Sequence, residues 1–182
     1  NLRVEDANGC RDSLTKVDYI QLDHPEANFS LATNQTCPGV AVSFTDLSTG
    51  PLPITGWRWD FGDGSTSTAQ NPSHVYTTPG TYDVRLIVTD GVSCRDTLVR
   101  SAVIEVFTGP MADFTYTPPQ GCDPLTVSFS QAATGGSAGV VAYQWAFGDG
   151  GTAVVPNPTY AYNSPGVYDV RLIVTDNNGC RD

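Results

Sequence analysis

The stretch Trp59-Asp60-Phe61-Gly62-Asp63-Gly64 reads as a β-strand that runs into a tight turn. Trp57, Trp59 and Phe61 alternate at period 2, which predicts a strand with one buried aromatic face. The glycines of Gly62-Asp63-Gly64 accept positive φ, and the Asp63 carboxylate can bond the backbone ahead of it. A strand that ends in such a turn is typical of an all-β domain.

Further short runs of apolar and β-branched residues flank this strand, separated by turn signals such as Asn71-Pro72 and Pro79-Gly80. In one run Val40, Val42 and Phe44 are predicted to point inward, and in a later run Tyr82, Val84, Leu86 and Val88 do the same. The predicted strands are 27–31 (strand A), 40–47 (strand B), 56–61 (strand C), 65–69, 73–77 (strand E), 81–89 (strand F) and 97–106 (strand G). About seven strands at this spacing predict an immunoglobulin-like β-sandwich.

Composition agrees with an all-β chain and narrows the partners. The 182 residues include 18 Gly and 13 Pro, and charged residues are only 15%. The net charge is −10, from 19 acidic and 9 basic residues, and no basic cluster offsets it. Such a surface disfavours nucleic acid as a partner. No apolar run approaches the roughly 20 residues of a membrane span, so membrane insertion is not expected.

The chain repeats itself. Phe29 and Cys37 match Phe114 and Cys122 at an offset of 85 (114 − 29), and Cys94 matches Cys180 at 86 (180 − 94). Residues 2–12 match 86–96 and 172–182. We therefore expect the end of one repeat (strands F and G) at 1–22, a complete domain at 23–108, and a second domain at 109–182 that lacks its last strand. A segment of a longer array is the simplest source of this pattern.

The ordered motifs resemble the signature of PKD (polycystic-kidney-disease-type) domains. The first copy has Trp59 to Gly64, then Asn71-Pro72, His74, Tyr76 and Pro79-Gly80-Thr81-Tyr82. The second copy keeps most of these motifs but has Ala146 in place of Asp60 and Tyr160 in place of His74. The resemblance implies tandem PKD β-sandwiches, usually spacers or interaction modules of extracellular proteins. The Gly-Cys variant resembles surface and secreted proteins of the Bacteroidota.

No constellation of residues predicts catalysis. Asp60 and Asp63 could suggest the paired carboxylates of a glycosidase, but Asp60 is replaced by Ala146 in the second copy, and a Gly-Asp-Gly turn explains Asp63. Trp57 and Trp59 could stack on a sugar, although their spacing favours the core. We predict a non-enzymatic chain with no catalytic residues and no cofactor.

Metal ligands are also sparse. The cysteines are isolated, which disfavours zinc. Calcium needs converging oxygens, and the candidates are Asp6, Asp90 and Asp176, which recur at the end of strand F. The alternative for these three residues is that they are turn carboxylates.

Short motifs suggest glycosylation at four residues. Asn28 and Asn34 lie in Asn-X-Ser/Thr sequons. Ser13 and Thr97 lie in Asp-Ser-Leu and Asp-Thr-Leu, which resemble the short O-glycosylation motif of Bacteroidota. Both kinds of motif also arise by chance, so these residues are candidates only.

The five cysteines fall into two classes and favour an oxidising compartment. Cys37 and Cys122 precede strand B, whereas Cys10, Cys94 and Cys180 lie between strands F and G. These turns lie at opposite ends of an immunoglobulin-like sandwich, about 26 Å apart along strand B, and a disulfide needs Cα atoms within about 7 Å. Adjacent domains, however, bring the two classes together, which predicts a Cys37–Cys180 bond across the junction. Reduced, half-buried thiols are the alternative.

Two functions follow from this pattern. The first is a structural spacer in an extracellular or cell-surface array, such as a stalk, filament or adhesin, with neighbouring PKD repeats as its partners. The second is an accessory module of a secreted hydrolase, with a glycan or a protein as its ligand.

Overall fold

The computed structural model describes residues 2–17 and 23–182, and this part of the chain forms β-strands with no helix. The first domain contains eight strands: β3 (Phe29–Leu31), β4 (Gln35–Thr36), β5 (Ala41–Asp46), β6 (Ile54–Asp60), β7 (Thr66–Ser67), β8 (Ser73–Val75), β9 (Gly80–Asp90) and β10 (Arg95–Val106). They form two sheets, β3-β5-β8 and β4-β10-β9-β6-β7.

The core of the first domain lies between these two sheets. Trp59 and Phe61 on the β6 side meet Phe29 and Phe44 from the facing sheet, and all four side chains are almost fully buried. The rings of Phe29 and Trp59 meet edge to face at 5.2 Å between centroids, a favoured aromatic geometry. The all-β, immunoglobulin-like fold class predicted from the sequence is confirmed.

Two details of this domain differ from the predicted strands. Val40 was predicted to point inward, and this is wrong: its side chain is 52% exposed. The backbone N–H of Val40 bonds the Cys37 carbonyl in a turn, so the alternation starts only at Ala41. The short strand β4 was not predicted; it pairs in parallel with the end of β10.

The second domain repeats the architecture over β11 (Phe114–Thr117), β12 (Leu125–Gln131), β13 (Val140–Ala146), β14 (Thr152–Ala153), β15 (Thr159–Tyr162) and β16 (Arg171–Asp176). Its sheets are β11-β12-β15 and β14-β13-β16. A single bridge between Thr175 and Arg181 is the only described trace of a strand in the position of β10. One edge of this sandwich is therefore open within residues 109–182.

The N-terminal segment forms a separate antiparallel hairpin of β1 (Leu2–Glu5) and β2 (Arg11–Leu14). Every residue of both strands is exposed. The tail expected at 1–22 includes residues 1 and 18–22, which lie outside the described residues. The described part has the local pairing of a strand F–G hairpin.

Candidate functional site

The junction between the two domains is held by a disulfide. Cys37, in the turn before β5, is bonded to Cys180, in the turn after β16, with their Cα atoms 5.4 Å apart. Cys180 is almost completely buried. The structure thus brings together one cysteine of each class, and these are the two that the sequence paired.

The segment that connects the domains is bound on its first-domain side by backbone hydrogen bonds. The N–H of Phe107 donates to the carbonyl of Thr36 at 3.0 Å, directly beside Cys37. Glu105 makes the same kind of bond to Asn34 at 2.8 Å. The connection therefore leaves the first domain next to the disulfide.

On the second-domain side, the loop before β13 binds the connection. Ser137 donates its N–H to the Thr108 carbonyl at 2.7 Å, and its hydroxyl donates to the same oxygen at 3.2 Å. A Cβ on Gly136 would collide with the carbonyl oxygens of Thr108 and Gly109, so glycine permits this approach. This contact with the connection was not predicted from the sequence.

In each domain a carboxylate near the F–G turn binds the backbone of the first residues of that domain. Asp182 Oδ2 accepts the N–H of Ala112 at 2.7 Å, and Asp96 accepts the N–H of Ala27 at 2.7 Å in the first domain. The hydrogen bond from Ala27 lowers the pKa of Asp96. The first residues of each domain are therefore bound beside its F–G turn.

The three calcium candidates occupy one repeated turn. Asp6, Asp90 and Asp176 each accept two backbone N–H groups through Oδ1, and one of the two donors is the cysteine that follows. The donor distances to the cysteines are 2.8–2.9 Å. In the described residues no group of three potential ligands converges on a metal position. These carboxylates therefore stabilise the turns that contain Cys10, Cys94 and Cys180.

The remaining cysteines stand at the two ends of the pair of domains. Cys94 lies in the F–G turn of the first domain and is partly buried, and Cys122 lies before β12 in the second and is exposed. Cys94 is the counterpart of Cys180, and Cys122 is the counterpart of Cys37. Cys10, in the N-terminal hairpin, is exposed as well.

The Gly-Asp-Gly turns are structural in both copies. His74 Nε2 lies 2.7 Å from Asp63 Oδ2, and its ring stacks on Phe61 at 4.2 Å. In the second copy the Tyr160 hydroxyl donates to Asp149 and its ring stacks on Phe147 at 4.0 Å. Both pairs tie the turn to the facing sheet, which explains why His74 can be replaced by Tyr160.

Residues 23–106 and 108–182 each match the PKD domain. The chain belongs to the PKD domain family.

Similar PKD-containing proteins include large proteases. A microbial collagenase of Vibrio alginolyticus is 41% identical over 73 residues, which are 39% of this chain and 9% of the collagenase. The pre-pro-metalloprotease PrtV of Vibrio cholerae is 30% identical over 127 residues, which are 69% of this chain and 13% of the protease. The chain thus spans only a small part of these relatives.

A solved structure shares one PKD domain with this chain. The PKD1 domain of the Vibrio cholerae metalloprotease PrtV is 36% identical, and the match covers 46% of this chain and 96% of that domain with a TM-score of 0.40.

Neither tryptophan of the first PKD domain forms an exposed stacking platform. Trp59 is buried and donates its Nε1–H to the Ala69 carbonyl at 2.9 Å. Trp57 is partly buried and donates to Asp46 Oδ2 at 2.7 Å. Asp60, the other carboxylate considered for catalysis, pairs with Arg85 at 2.9 Å.

The glycosylation candidates of the PKD domains and the hairpin lie at exposed positions: Ser13, Asn28, Asn34 and Thr97. The Asn28 side chain is engaged, because its Oδ1 accepts a hydrogen bond from Arg100 at 3.0 Å. In residues 2–17 and 23–182 no helix is long and apolar enough to cross a membrane.

Proposed function

We propose that the chain is a spacer segment of an extracellular PKD array, in which disulfides stiffen the junctions between successive domains. The Cys37–Cys180 bond is the observation that carries this proposal. It adds a covalent link to the chain connection at Thr108–Gly109, so two separate attachments join the domains. Two attachments restrict bending and rotation far more than one flexible connection does.

The same junction can be repeated along an array. Cys94 and Cys122 lie at the outer ends of the two domains. Cys94 is the first-domain counterpart of Cys180, and Cys122 is the second-domain counterpart of Cys37. A preceding domain would present its strand-B cysteine to Cys94, and a following domain would present its F–G cysteine to Cys122. The partners would then be neighbouring PKD repeats, and a stalk, filament or adhesin would be built from one kind of joint.

An extracellular location fits this chemistry. Disulfides persist in oxidising compartments, and the similar proteins include collagenases and a pre-pro-metalloprotease. The resemblance to surface and secreted proteins of the Bacteroidota rests on the Gly-Cys motif.

Residual dipolar couplings measured on the oxidised 182-residue chain test the stiff junction. We expect one alignment tensor to fit both domains, and two different tensors to be needed for Cys37→Ser. Cys122→Ser is the matched control, because this cysteine lies at the outer end of the second domain and should leave the single tensor intact. Equal tensors in Cys37→Ser would contradict a stiffening function of the bond.

The second candidate function is an accessory module of a secreted hydrolase. The observation in its favour is that the relatives with matching PKD segments include proteases that are much longer than this chain. This function requires a surface that binds a glycan or a protein. Chemical-shift mapping with soluble oligosaccharides and with collagen-like peptides tests it, and a localised set of saturating shifts would support it over the spacer.

A further inference from the structure

The outer face of the larger sheet in the first domain is built by β6, β9 and β10, which lie side by side. Arg58 on β6 pairs with Ile87 on β9, and Ile87 pairs with Thr97 on β10. Every second residue of these strands points away from the core. Val99 on this face is 51% exposed, and Ile87 is only partly buried. The middle of the outer face is therefore apolar and open to solvent.

Two arginines make the F–G end of this outer face positive. Arg95 pairs with Thr89, and Arg58 pairs with Ile87 one row further along the sheet. Both arginines are exposed, and neither belongs to an ion pair in residues 2–17 and 23–182. In the sequence they are 37 residues apart (95 − 58), so only the strand pairing brings them together.

The other end of the outer face is negative. Glu105 pairs with Thr81, and Asp83 lies two residues further along β9. Both carboxylates are exposed. In the middle row Arg85 bonds to Asp60 at 2.9 Å, so this row carries no net charge. The outer face is thus positive at one end, neutral in the centre and negative at the other.

Such a pattern is complementary to itself. A two-fold axis that crosses the strands at the row of Arg85 and Val99 places each end of one face on the opposite end of a second face. Arg95 and Glu105 lie on either side of that row, each paired with a β9 residue four positions from its centre (89 − 85 and 85 − 81). Arg95 of either copy consequently meets Glu105 of the other, and Val99 meets Val99.

We propose that the outer face of the first domain binds the same face of a second copy of the chain, with the strands of the two copies antiparallel. Arg95 and Glu105 then form two equivalent contacts, and Arg58 of each copy faces the Asp83 end of the other. The apolar surface of Val99 leaves water in the centre. Because the net charge of −10 opposes contact between arbitrary surfaces of two copies, the matched charges select this face. This pairing goes beyond the spacer function, since it joins arrays side by side and does not depend on the disulfide.

A single pair of faces gives a weak contact. Three strands and the nine residues 81–89 cover roughly 15 by 30 Å, which is about half of the 800 Å² or so that each partner buries in a stable interface. We therefore expect a dissociation constant between about 0.1 and 1 mM for one pair. Arrays that carry several such faces would bind more tightly through avidity.

Charge reversal tests the pairing, because Arg95 of one copy contacts Glu105 of the other. We expect Arg95→Glu and Glu105→Arg each to weaken self-association by more than about tenfold, since each change puts like charges together at both contacts. An equimolar mixture of the two variants should associate again, because every contact between them joins opposite charges. Amide chemical shifts of Ile87 and Val99 over a concentration series measure the parent, both variants and the mixture.

The controls separate this contact from other kinds of association. Cys10, Cys94 and Cys122 are replaced by serine in every sample, so that no disulfide joins two copies, while the disulfide at the junction is kept. Arg3→Glu makes the same charge change at an exposed residue of the N-terminal hairpin and should associate as the parent does. Added salt should weaken association of the parent, because the paired charges are exposed.

A parent chain that stays monomeric at about 1 mM would overturn the proposal, as would equal association of the parent and both single variants. A mixture that stays dissociated, although the amide spectra show both variants folded, would overturn it as well. If a heparin-derived oligosaccharide shifts the amides of Arg58 and Arg95 in a monomeric chain, the face binds a polyanion and not a second copy. Dipolar couplings that reveal a flexible junction would refute the spacer function and leave these association results standing.

Discussion

The hydroxyl group of Tyr160 would collide with a Cβ on Gly151. In the first domain the counterparts are His74 and Ser65, so a smaller ring accompanies a residue with a side chain. Both rings reach the carboxylate of the turn, Asp149 or Asp63. The two positions therefore differ between the domains as a pair.

A double-mutant cycle on His74 and Ser65 tests this coupling. We expect His74→Tyr alone to destabilise the first domain, because the new hydroxyl meets the Cβ of Ser65. Adding Ser65→Gly should restore much of the loss, with a coupling energy of about 1 kcal/mol or more. Urea denaturation followed by residue-resolved NMR of the full chain measures both domains separately. Additive effects of the two changes would contradict the coupling.

The acid response of the first domain should depend on Asp63. Partial burial opposes ionisation of Asp63, but hydrogen bonds from His74 and Ser65 outweigh it and lower the pKa of the carboxyl. A lowered folded-state pKa adds stability that is fully present above the unfolded value near 3.9. That stability is lost as the pH falls through the folded pKa.

Asp63→Asn should therefore flatten the fall of the unfolding free energy of the first domain below about pH 4. Urea denaturation at a series of pH values from 2 to 7, with one NMR probe in each domain, measures it. The second domain retains Asp149 and should keep its acid response in the variant, which makes it the internal control. Identical pH slopes for the first domain in both proteins would refute this prediction.

The sequence predicted those parts of the fold that depend on local alternation and turn chemistry. Val84, Leu86 and Val88 lie in the core as predicted, because a strand with period 2 has one buried face. The prediction that Val40 points inward was wrong because a turn precedes β5 at this position, and alternation in the sequence does not reveal such a turn. The short β4 has only two residues, and it exists because the end of β10 offers an edge beside it.

The junction was predictable only in outline. The pairing of Cys37 with Cys180 followed from the opposite ends of a sandwich and the order of the domains. The contact of Gly136 with Thr108 did not, because it depends on how an inserted loop folds onto the connection.

The residue before the F–G cysteine should control the stability of each turn. Ser93 has φ of 72°, in the left-handed region that costs a non-glycine residue roughly 1 kcal/mol. Its counterpart in the second domain is Gly179, with φ of 82°. We expect Ser93→Gly to stabilise the first domain by up to about 1 kcal/mol, and Gly179→Ser to destabilise the second by a similar amount. Thermal denaturation of the two single variants measures both changes, and a loss of stability in Ser93→Gly would contradict the strain.

Gly136→Ala should loosen the attachment of the connection to the second domain. The added methyl group would meet the Thr108 and Gly109 carbonyls, which are backbone atoms and cannot rotate away. The loop must then shift and lose the hydrogen bonds from Ser137 to Thr108, each worth about 1 kcal/mol. Amide hydrogen exchange at Ser137 should accelerate by roughly tenfold.

Gly139→Ala is the control for this change, because nothing lies within 4 Å of the position of its Cβ. Exchange at Ser137 should be unaltered in that variant, and the Cys37–Cys180 bond should form in both. Faster exchange in Gly139→Ala but not in Gly136→Ala would mean that general loop flexibility, and not the collision with Thr108, governs the attachment. Equal and slow exchange in both variants would mean that the loop accommodates the methyl group without losing the hydrogen bond from Ser137 to Thr108, which would contradict the prediction.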